Sequence, residues 1–428
     1  MSNKEFLTGQ PTRDMLGRAM NLTVAEAGER ILASAPPAVA GRETVPLLAA
    51  LGRVSAAAVT APEDLPAHPR STMDGFAVRA AETFGASEGL PAYLAVTGEV
   101  AMGVQPAAGP APGACFTIST GGLLPPGTDA VLMLEHAVPV DAGLIEVTAP
   151  VAPGRHVMLP GEDVGRGQEV LPAGRRLRPQ DLGLLAALGV TGLSVRAQPT
   201  VGILATGDEL VPYEEAPGPG RIRDCNSVTL AALAAGLGAA VQRYGILPDE
   251  EERLLAALAQ ALAETDLVLF SGGSSVGSRD LGARIIDRLG PPGVLVHGVR
   301  MKPGKPVIFG LAAGKPVFGL PGHPVSAAVA FEVFVRPLIL RLAGEEAPPR
   351  RPCLPARLMR HIRSAAGRRD YVRVALADEA GSGEVTAWPV LGQSGSLSTL
   401  VRADGWVVVP ESREGIPAGE MVAVQLFA

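Results

Sequence analysis

The spacing of hydrophobic and polar residues predicts helices near the start of the chain. Thr23-Val-Ala-Glu26 has the spacing of a capping box, and the apolar positions after it form one helical face to about Ala35. A second helical segment is predicted near residues 46–54. Residues 1–21 carry several charges and no apolar core, so they are predicted to be a disordered lead without a signal peptide.

The pattern then becomes typical of β-strands. Between residues 62 and 174, short apolar runs such as 93–97 are separated by Gly and Pro, which predicts a small all-β insertion. Helical spacing returns at residues 179–188. After residue 350 the chain reverts to short strands, which predicts a separate small β domain at the C-terminus.

Between residues 200 and 346, apolar strands alternate with helical patterns. This order predicts a mostly parallel sheet with helices on both faces. Asn226 or Ser227 is expected to cap one helix, and Asp249 is expected to start the next. The last helix is predicted to begin at Pro324 and to kink near Pro337, because proline lacks the amide hydrogen that a helix interior needs. The predicted fold class is therefore α/β plus β.

The composition narrows the classes of function. The net charge is −6, the pI is near 5.7, and aromatic residues make up 4% of the chain. These values argue against nucleic acid and against a membrane surface as partners. The three cysteines stand far apart without a paired motif, which favours a cytoplasmic location and argues against structural zinc. The six histidines are equally scattered, and no apolar run is long enough to span a bilayer.

Three glycine-rich connections follow predicted strands between residues 266 and 327. They are Ser271-Gly-Gly-Ser-Ser-Val-Gly277, Met301-Lys-Pro-Gly-Lys-Pro306 and Gly319-Leu-Pro-Gly-His-Pro324. Ligands bind open α/β sheets beyond the carboxyl ends of the strands, so we expect these connections to meet at one crevice. Gly272 and Gly273 allow a ligand to approach the backbone closely, and the free amide groups at a helix start attract anions.

Lys302 and Lys305 add two positive charges to this region, and the proline after each lysine restricts the backbone that carries it. A single glycine-rich loop would be interpreted as a simple turn between a strand and a helix. Three such loops, one of them dibasic, favour a phosphate or oxyanion site. The segment 310–316 is similar to a P-loop but has the wrong spacing, so it is interpreted as a hairpin turn.

Acidic residues border the predicted anion site. Glu209 follows the first strand of the α/β region, and Asp280 follows the first glycine-rich loop. Asp249 could lie at the same edge, although capping of a helix would explain it fully. Mg²⁺ takes oxygen ligands and bridges to phosphate, so Asp280, Glu209 and Asp249 are candidate metal ligands. The alternative is that these carboxylates cap helices or pair with the two lysines.

Several of these strings together resemble one family. Ser271-Gly-Gly-x-Ser-x-Gly-x-x-Asp280, Lys302-Pro-Gly-Lys-Pro306 and Leu320-Pro-Gly-x-Pro-Val-Ser-Ala327 resemble the molybdopterin-binding domain. Ser71-Thr-Met-Asp-Gly-Phe-Ala-Val-Arg79 resembles a signature of the molybdopterin molybdenumtransferases, a family that includes the gephyrin E domain. The sibling adenylyltransferases lack this last string. The resemblance covers nearly the whole chain.

The resemblance implies an enzyme that inserts molybdate into adenylylated molybdopterin, with Mg²⁺ as cofactor and release of AMP. It implies one catalytic residue in the predicted β insertion and four in the predicted α/β region. They are Asp74, Glu209, Asp280, Lys302 and Lys305. It implies substrate-binding residues in several loops, namely Thr120, Asp163, Gly272, Gly273, Ser275, Gly277, Pro321, Gly322, Pro324, Arg373 and Ser396. The chain departs from the family at His323, where Asn is common, and at Gly298, where some members have Lys.

The resemblance also implies a domain order and a homodimer with composite active sites. The domains are a discontinuous N-terminal domain (15–61 and 175–199), an inserted β domain (62–174), a molybdopterin-binding α/β domain (200–346) and a C-terminal β-barrel domain (347–428). The molybdopterin adenylyltransferase is implied as a further partner.

Two other functions stay open at the level of sequence. One is nucleotidyl transfer of the adenylyltransferase type, against which the string around Asp74 and the additional β domains argue. The other is a non-catalytic scaffold on the same fold. The intact set of Asp74, Glu209, Asp280 and Lys302 argues against a scaffold that has lost catalysis.

Overall fold

The protein is described by a computed structural model that covers residues 12–13, 19–39, 41–272, 276–346, 351–379 and 383–427. For residues 12, 13, 19–21 and 276–280 only the backbone is described. The chain forms an α/β region around one mixed sheet, a β insertion and a closed C-terminal barrel, so the predicted α/β plus β fold class is confirmed. The domain limits given above stay a prediction.

A mixed sheet of eight strands, called the central sheet below, organises the α/β region. Its strands lie in the order Thr12–Arg13, Ala19–Leu22, Pro292–Val299, Ile308–Ala312, Lys315–Leu320, Leu267–Gly272, Thr200–Thr206 and Ala240–Leu247. The last four are mutually parallel, as predicted, whereas Ile308–Ala312 is antiparallel to both of its neighbours. The predicted hairpin turn is confirmed by Ala313 and Gly314, which join two antiparallel strands with positive φ.

Helices cover both faces of the central sheet because its buried strands are apolar on both sides. One face packs on the helices Val24–Ser34, Asn226–Gly236, Pro324–Ala330 and Arg336–Leu342. The other face packs on Glu251–Glu264 and Val276–Arg288. Asn226 begins its helix rather than capping it, and the carboxylate of Asp224 accepts the amide hydrogen of Ser227 in its place.

The prediction of a disordered lead is wrong for the part of residues 1–21 that the structure describes. Ala19–Leu22 is a strand of the central sheet, parallel to Pro292–Val299, and Thr12–Arg13 pairs with it. The hydrogen bonds come from a strand far away in sequence, so no local pattern could have revealed them. The capping box at Thr23 is confirmed, and the helix that it starts packs on the central sheet.

The β insertion contains a second sheet of six strands. Their order is Ala137–Asp141, Leu144–Val147, Ala92–Glu99, Ala114–Ile118, Gly75–Val78 and Ala130–Met133. A small ladder joins Arg70–Ser71 to Val157–Met158, and 3-10 turns lie at Ala80–Thr83 and Leu134–His136. Most of the predicted β character in this segment is therefore pairing within residues 70–158.

Segments on either side of the β insertion pair with each other. Arg42–Pro46 is antiparallel to Gly192–Arg196, and Val59–Thr60 is antiparallel to Glu169–Leu171. The helix predicted at residues 179–188 is present as Pro179–Ala187. The helix predicted near residues 46–54 is only a 3-10 turn at Leu47–Ala50, after which Gly52 takes a positive φ that a helix cannot continue.

Asp181 anchors the helix Pro179–Ala187 to two arginines. Its carboxylate accepts hydrogen bonds from the side chains of Arg175 and Arg178 and from the amide of Arg178. Burial by itself would raise the pKa of Asp181, but these bonds outweigh burial and lower the pKa to about 2. A carboxylate with a lowered pKa in the folded state stabilises the protein above its unfolded pKa, and this stabilisation is lost as pH falls.

We therefore expect Asp181→Asn to lower the free energy of unfolding at pH 7 by about 1–2 kcal/mol. The difference from wild type should shrink as pH falls from about 4 towards 2, because the wild-type carboxylate then gains its proton. Denaturation midpoints at pH 7 and pH 3 measure both effects. Asp378→Asn, at an exposed site on the barrel, is the matched control. A constant difference across this pH range would contradict the assignment.

The C-terminal segment closes into a five-stranded barrel. Arg369–Asp378, Val385–Pro389, Cys353–Leu358, Met421–Leu426 and Gly405–Val409 follow each other around it, and the last pairs with the first. A short ladder joins Ile362–Arg363 to Gly415–Ile416, and Ser398–Val401 is a single helical turn. Tyr371 and Trp406 of the barrel join the same hydrophobic core as Phe334, so the barrel is packed on the central sheet domain.

The last helix of the α/β region is interrupted where the proline predicted a kink. Pro324–Ala330 is α-helical, Phe331–Val335 is a π turn, and Arg336–Leu342 is α-helical again. The π turn lies directly before Pro337, whose missing amide hydrogen disturbs the helical ladder at that point. None of the described helices combines the length and the apolar character needed to cross a bilayer.

Candidate functional site

The carboxyl ends of four parallel strands meet at one edge of the central sheet, called the strand-end edge below. Thr206 lies opposite Leu247 on one side and Gly272 on the other, and Ser271 lies opposite Leu320. The loops that follow these strands must therefore begin side by side. This register brings together the beginnings of the loops that carry Glu209, Asp249, Gly272 and Pro321.

Asp249 is held at the strand-end edge by the neighbouring strand. The hydroxyl of Thr206 donates to Oδ1 of Asp249 at 2.5 Å, and the amide of Asp249 donates to Oδ1 of Asp208 at 3.3 Å. The next helix begins at Glu251, with Glu250 as its N-cap residue. The interpretation of Asp249 as a helix cap is therefore wrong, because its carboxylate faces Thr206.

Glu209 belongs to a tight turn at the same edge. A side chain at Gly207 would collide with the carboxylate of Glu209, since an added Cβ would lie 2.7 Å from Oε2. The turn is held from outside, because the amide of Ile222 donates to the carbonyl of Glu209 at 2.8 Å and Arg221 donates to the carbonyl of Asp208 at 2.6 Å. The carboxylate of Glu209 is thus exposed on a fixed backbone.

The first glycine-rich loop is described only in part. Gly272 lies so close to its neighbour strand that an added Cβ would be 2.0 Å from the carbonyl oxygen of Thr206. Gly273 and Ser275 lie outside the described residues. Gly277 lies in the helix Val276–Arg288, and the side chain of Asp280 lies outside the description. The contacts expected of these residues stay predictions.

The donor set of the strand-end edge can be compared with the needs of Mg²⁺. The carboxylates of Asp208, Glu209 and Asp249 are the hard oxygen donors that this ion prefers. Among the residues whose side chains are described, no three His, Cys, Asp or Glu residues come together as a metal cluster. The carboxylates thus match Mg²⁺ in donor type, although the described ones do not form a cluster by themselves, and the set of ligands stays a prediction.

Lys302 and Lys305 lie in a turn, called the lysine loop below, that is fixed between two domains. Met301–Lys302 pairs in parallel with Arg369 and Asp370 of the barrel. Gly304 has a positive φ, and an added Cβ there would lie 3.6 Å from the carbonyl oxygen of Ser326 in the first turn of the helix Pro324–Ala330. Both lysines are exposed, and no ion pair with a described side chain neutralises them.

The turn that contains Pro321, Gly322 and Pro324 is held by polar contacts on both sides. The side-chain amide of Asn226 donates to the carbonyl of Gly322 at 2.7 Å. From the barrel, the carbonyl of Ser394 accepts the amide hydrogen of Val325 at 3.1 Å. This turn therefore connects the strand-end edge to the barrel.

Arg373 supplies a buried positive charge beside the barrel segment that contains Ser394. It is only 9% exposed, and its Nη2 donates to the carbonyl of Gly392 at 3.0 Å. Among the described residues, its Nε and Nη1 have no hydrogen-bond partner. Burial lowers the pKa of this guanidinium group. Ser396 lies on the same loop, since an added Cβ at Gly392 would be 3.4 Å from its Cβ.

The site residues of the β insertion form a separate group within one chain. Oδ1 of Asp74 accepts the amide hydrogen of Thr120 at 2.7 Å, and both residues are exposed. Asp163 is exposed, and its amide donates to the carbonyl of Leu65. In the part of the chain that the structure describes, no hydrogen bond or ion pair joins residues 62–171 to residues 200–427.

Sequence reasoning missed several residues that shape the site. Thr206 and Asp208 stand in the string that contains Glu209, but only the strand register shows that they contact Asp249. Asn226 was interpreted as a helix cap and instead binds Gly322. Gly298, where some family members have Lys, has a φ of 80°, a conformation that a lysine would adopt only under strain.

Comparison with known proteins agrees with this architecture along the whole chain. Residues 22–189 match the MoeA N-terminal region (domains I and II), residues 202–341 match the molybdopterin-binding domain model, and residues 355–427 match the MoeA C-terminal region (domain IV). The chain is 34% identical to the molybdopterin molybdenumtransferase of Haemophilus influenzae over 90% of this chain and 94% of that protein. It is 33% identical to the enzyme of Synechococcus elongatus over 95% of this chain and 100% of that protein.

Solved structures give the same result. The MoeA protein of Pyrococcus horikoshii OT3 superimposes with a TM-score of 0.82 at 32% identity, over 95% of this chain and 100% of that chain. Domain order, chain length and fold all agree with one family. The chain belongs to the MoeA family of molybdopterin molybdenumtransferases, which act in molybdenum cofactor biosynthesis.

Proposed function

We propose that this protein inserts molybdate into adenylylated molybdopterin and releases AMP in an Mg²⁺-dependent reaction. The observation that carries the proposal is the meeting of the lysine loop, the start of the helix Pro324–Ala330 and the buried Arg373 beside an edge rich in carboxylates. A site with unpaired cations on one side and oxygen donors on the other suits an oxyanion and a phosphate–metal pair.

The two lysines of the lysine loop are unusual for this chain. Lysine and arginine together number 37, and only four of them are lysines. Arginine therefore serves almost everywhere that a positive charge is needed. A lysine ammonium is a compact point charge that approaches a small tetrahedral anion without the planar geometry of a guanidinium. Their occurrence at Lys302 and Lys305 supports a role in drawing molybdate or the pyrophosphate of the substrate.

Arg373 and Ser396 would complete the oxyanion part of the site. A buried guanidinium with two unpaired nitrogens is costly unless an anion joins it. The hydroxyl of Ser396 lies on the same loop and can donate to an oxygen of the anion. This arrangement accounts for a charge that the protein itself leaves without a partner among its described residues.

The glycine-rich loop at Gly272 and the turn at Gly322 would bind phosphate through backbone amides. Gly272 allows close approach of the backbone, and Pro321 and Pro324 fix the second turn. Release of AMP breaks the P–O–P bond of the substrate as the oxygen of a water molecule bonds to one phosphorus atom and the other phosphate leaves, and positive groups beside the bond stabilise the charge that develops. Gly273, Ser275, Gly277 and Asp280 are proposed for the same loop by resemblance.

Glu209, Asp249 and Asp280 would hold Mg²⁺ at the strand-end edge. The ion would supply Lewis-acid stabilisation of the phosphate oxygens. Thr206 and Asp208 fix the position of Asp249, so one metal ligand would be oriented before substrate binds.

Asp74, Thr120 and Asp163 would reach the site from a second subunit. They lie in residues 62–171 of the β insertion, which make no polar contact with the described part of residues 200–427 in their own chain. We therefore propose a homodimer in which each site combines the β insertion of one subunit with the α/β domain of the other. The molybdopterin adenylyltransferase, which makes the substrate, is the expected further partner.

The proposal is tested by incubating purified protein with adenylylated molybdopterin, molybdate and Mg²⁺ and following AMP. AMP release should stop with EDTA and return with Mg²⁺. Asp249→Asn should lower the rate by about 100-fold even at saturating Mg²⁺, because an amide cannot replace the charge of a metal ligand. Asp378→Asn is the matched control on the barrel.

Each negative result of this experiment would refute a different part of the proposal. AMP release that does not depend on a divalent ion would refute the metal assignment and leave the transfer reaction intact. If no AMP appears under any condition with folded protein, the proposed reaction itself is wrong. A product that gains adenylate instead would identify the adenylyltransferase activity.

A further inference from the structure

The start of the helix Pro324–Ala330 is capped by another domain. His323 is the N-cap residue, and within the described residues its side chain makes no capping hydrogen bond to its own helix. The amide of Val325 instead donates to the carbonyl of Ser394 at 3.1 Å. Ser394 lies 71 residues beyond His323, in residues 391–397, called the barrel loop below. One of the free amides of the helix start is therefore satisfied by the C-terminal barrel.

A second hydrogen bond joins the same two segments. Nδ1 of His323 lies 2.7 Å from the hydroxyl oxygen of Ser394. A serine hydroxyl can donate to a neutral imidazole nitrogen or accept from a protonated one, so the contact does not require one protonation state. Side chain and carbonyl of Ser394 thus both bind the segment 323–325.

The barrel loop also holds the groups proposed to bind the oxyanion. The carbonyl of Gly392 accepts the hydrogen bond of Arg373, and Ser396 lies two residues after Ser394. The loop packs closely on the helical turn that follows it, because an added Cβ at Gly392 would lie 2.7 Å from Cγ2 of Thr399. A displacement of Ser394 would therefore be transmitted to both neighbours.

The residue at position 323 decides how this helix start is satisfied. Asparagine, for comparison, is a preferred N-cap residue whose side chain accepts the amide of the second or third helical residue. The second helical residue is Val325, so an asparagine would compete with Ser394 for the same amide. Histidine leaves that amide to the barrel loop and adds a bond of its own to Ser394.

We infer that His323 is a positioning residue that locks the barrel loop, with Arg373 and Ser396, onto the start of the helix Pro324–Ala330. The lock fixes the distance between the cations of the barrel and those of the lysine loop, which packs on the same helical turn. Its effect on substrate rests on the proposed function, in which an oxyanion binds between these groups. The lock, meaning the hydrogen bonds of Ser394 to His323 and Val325, is a property of the fold and can be measured without substrate.

The test compares His323→Asn, Ser394→Ala and the double variant with wild type. Amide hydrogen exchange of the barrel loop should become faster by about tenfold in each variant. In His323→Asn the amide of Val325 can stay protected, because the new side chain accepts its hydrogen. The Kd for molybdate alone, measured by calorimetry, should rise about threefold to tenfold, as expected for loss of one or two hydrogen bonds. KM for molybdate should rise in the same proportion while kcat at saturating molybdate stays near wild type.

The double variant should bind molybdate as tightly as the single variant with the lower affinity. Both substitutions remove the same contact, so their effects should not add. Replacement of His361, an exposed histidine of the barrel, by asparagine should leave amide exchange and molybdate binding unchanged.

Amide exchange that stays at the wild-type rate in both single variants would overturn the lock. Faster exchange with unchanged molybdate affinity would overturn its link to the oxyanion. Wild-type protein that binds no molybdate would contradict the proposed oxyanion site, while exchange would still decide the lock.

Discussion

Replacement of Lys302 by alanine is expected to lower the rate of AMP release by about 100-fold, the usual cost of removing one group that stabilises charge in a transition state. The lysine is exposed on a turn whose backbone is fixed by pairing with Arg369 and Asp370. The substitution removes the ammonium group without disturbing this pairing. Because an exposed lysine contributes little to stability, Tm should stay close to that of wild type.

Lys315→Ala is the matched control for this experiment. Lys315 begins a strand of the central sheet, at the end opposite the strand-end edge, and its ammonium group donates to the carbonyl of Leu262. Both substitutions change the net charge of the protein by the same amount. A difference in rate between them therefore depends on where the lysine lies and not on the net charge. Full activity in Lys302→Ala would remove this residue from the site. A large fall in Tm would instead assign the lysine to stability.

Mixing two inactive variants is expected to restore activity. Asp74→Ala and Lys302→Ala should each be inactive alone, since each homodimer carries one lesion in both of its sites. In a heterodimer, one site combines the intact Asp74 of one subunit with the intact Lys302 of the other, and the second site holds both lesions. Random exchange of equal amounts makes half of the dimers mixed, so about a quarter of wild-type activity should return.

Two controls make the mixing experiment decisive. Heterodimers must be shown to form, for example by two affinity tags. A mixture of Asp74→Ala with a second variant of the β insertion, Thr120→Pro, should stay inactive, because both lesions then belong to the same half of the site. Heterodimers of Asp74→Ala and Lys302→Ala that stay inactive would show that the site lies within one chain, or that Asp74 only holds Thr120 in a turn.

The sequence by itself determined the features that depend on neighbours along the chain. The capping box at Thr23 and the hairpin at Gly314 were predicted correctly, because each is specified by a few adjacent residues. The break before Pro337 follows from the chemistry of one residue. The rule that the carboxyl ends of parallel strands share one edge predicted a common crevice for three glycine-rich loops, of which the first is described only in part. The family followed from long strings such as the one around Asp74.

The tertiary structure alone decided which distant groups meet. Ala19–Leu22 became a strand because Pro292–Val299 offered an unpaired edge, which no local pattern encodes. Asp249 binds Thr206 instead of capping its helix because the register of two parallel strands places them side by side. Arg373 is buried, and Ser394 caps a helix of another domain, because the barrel packs on the core of the central sheet. Spacing along a chain specifies periodicity and caps, whereas contacts between distant segments depend on register and docking, which appear only after folding.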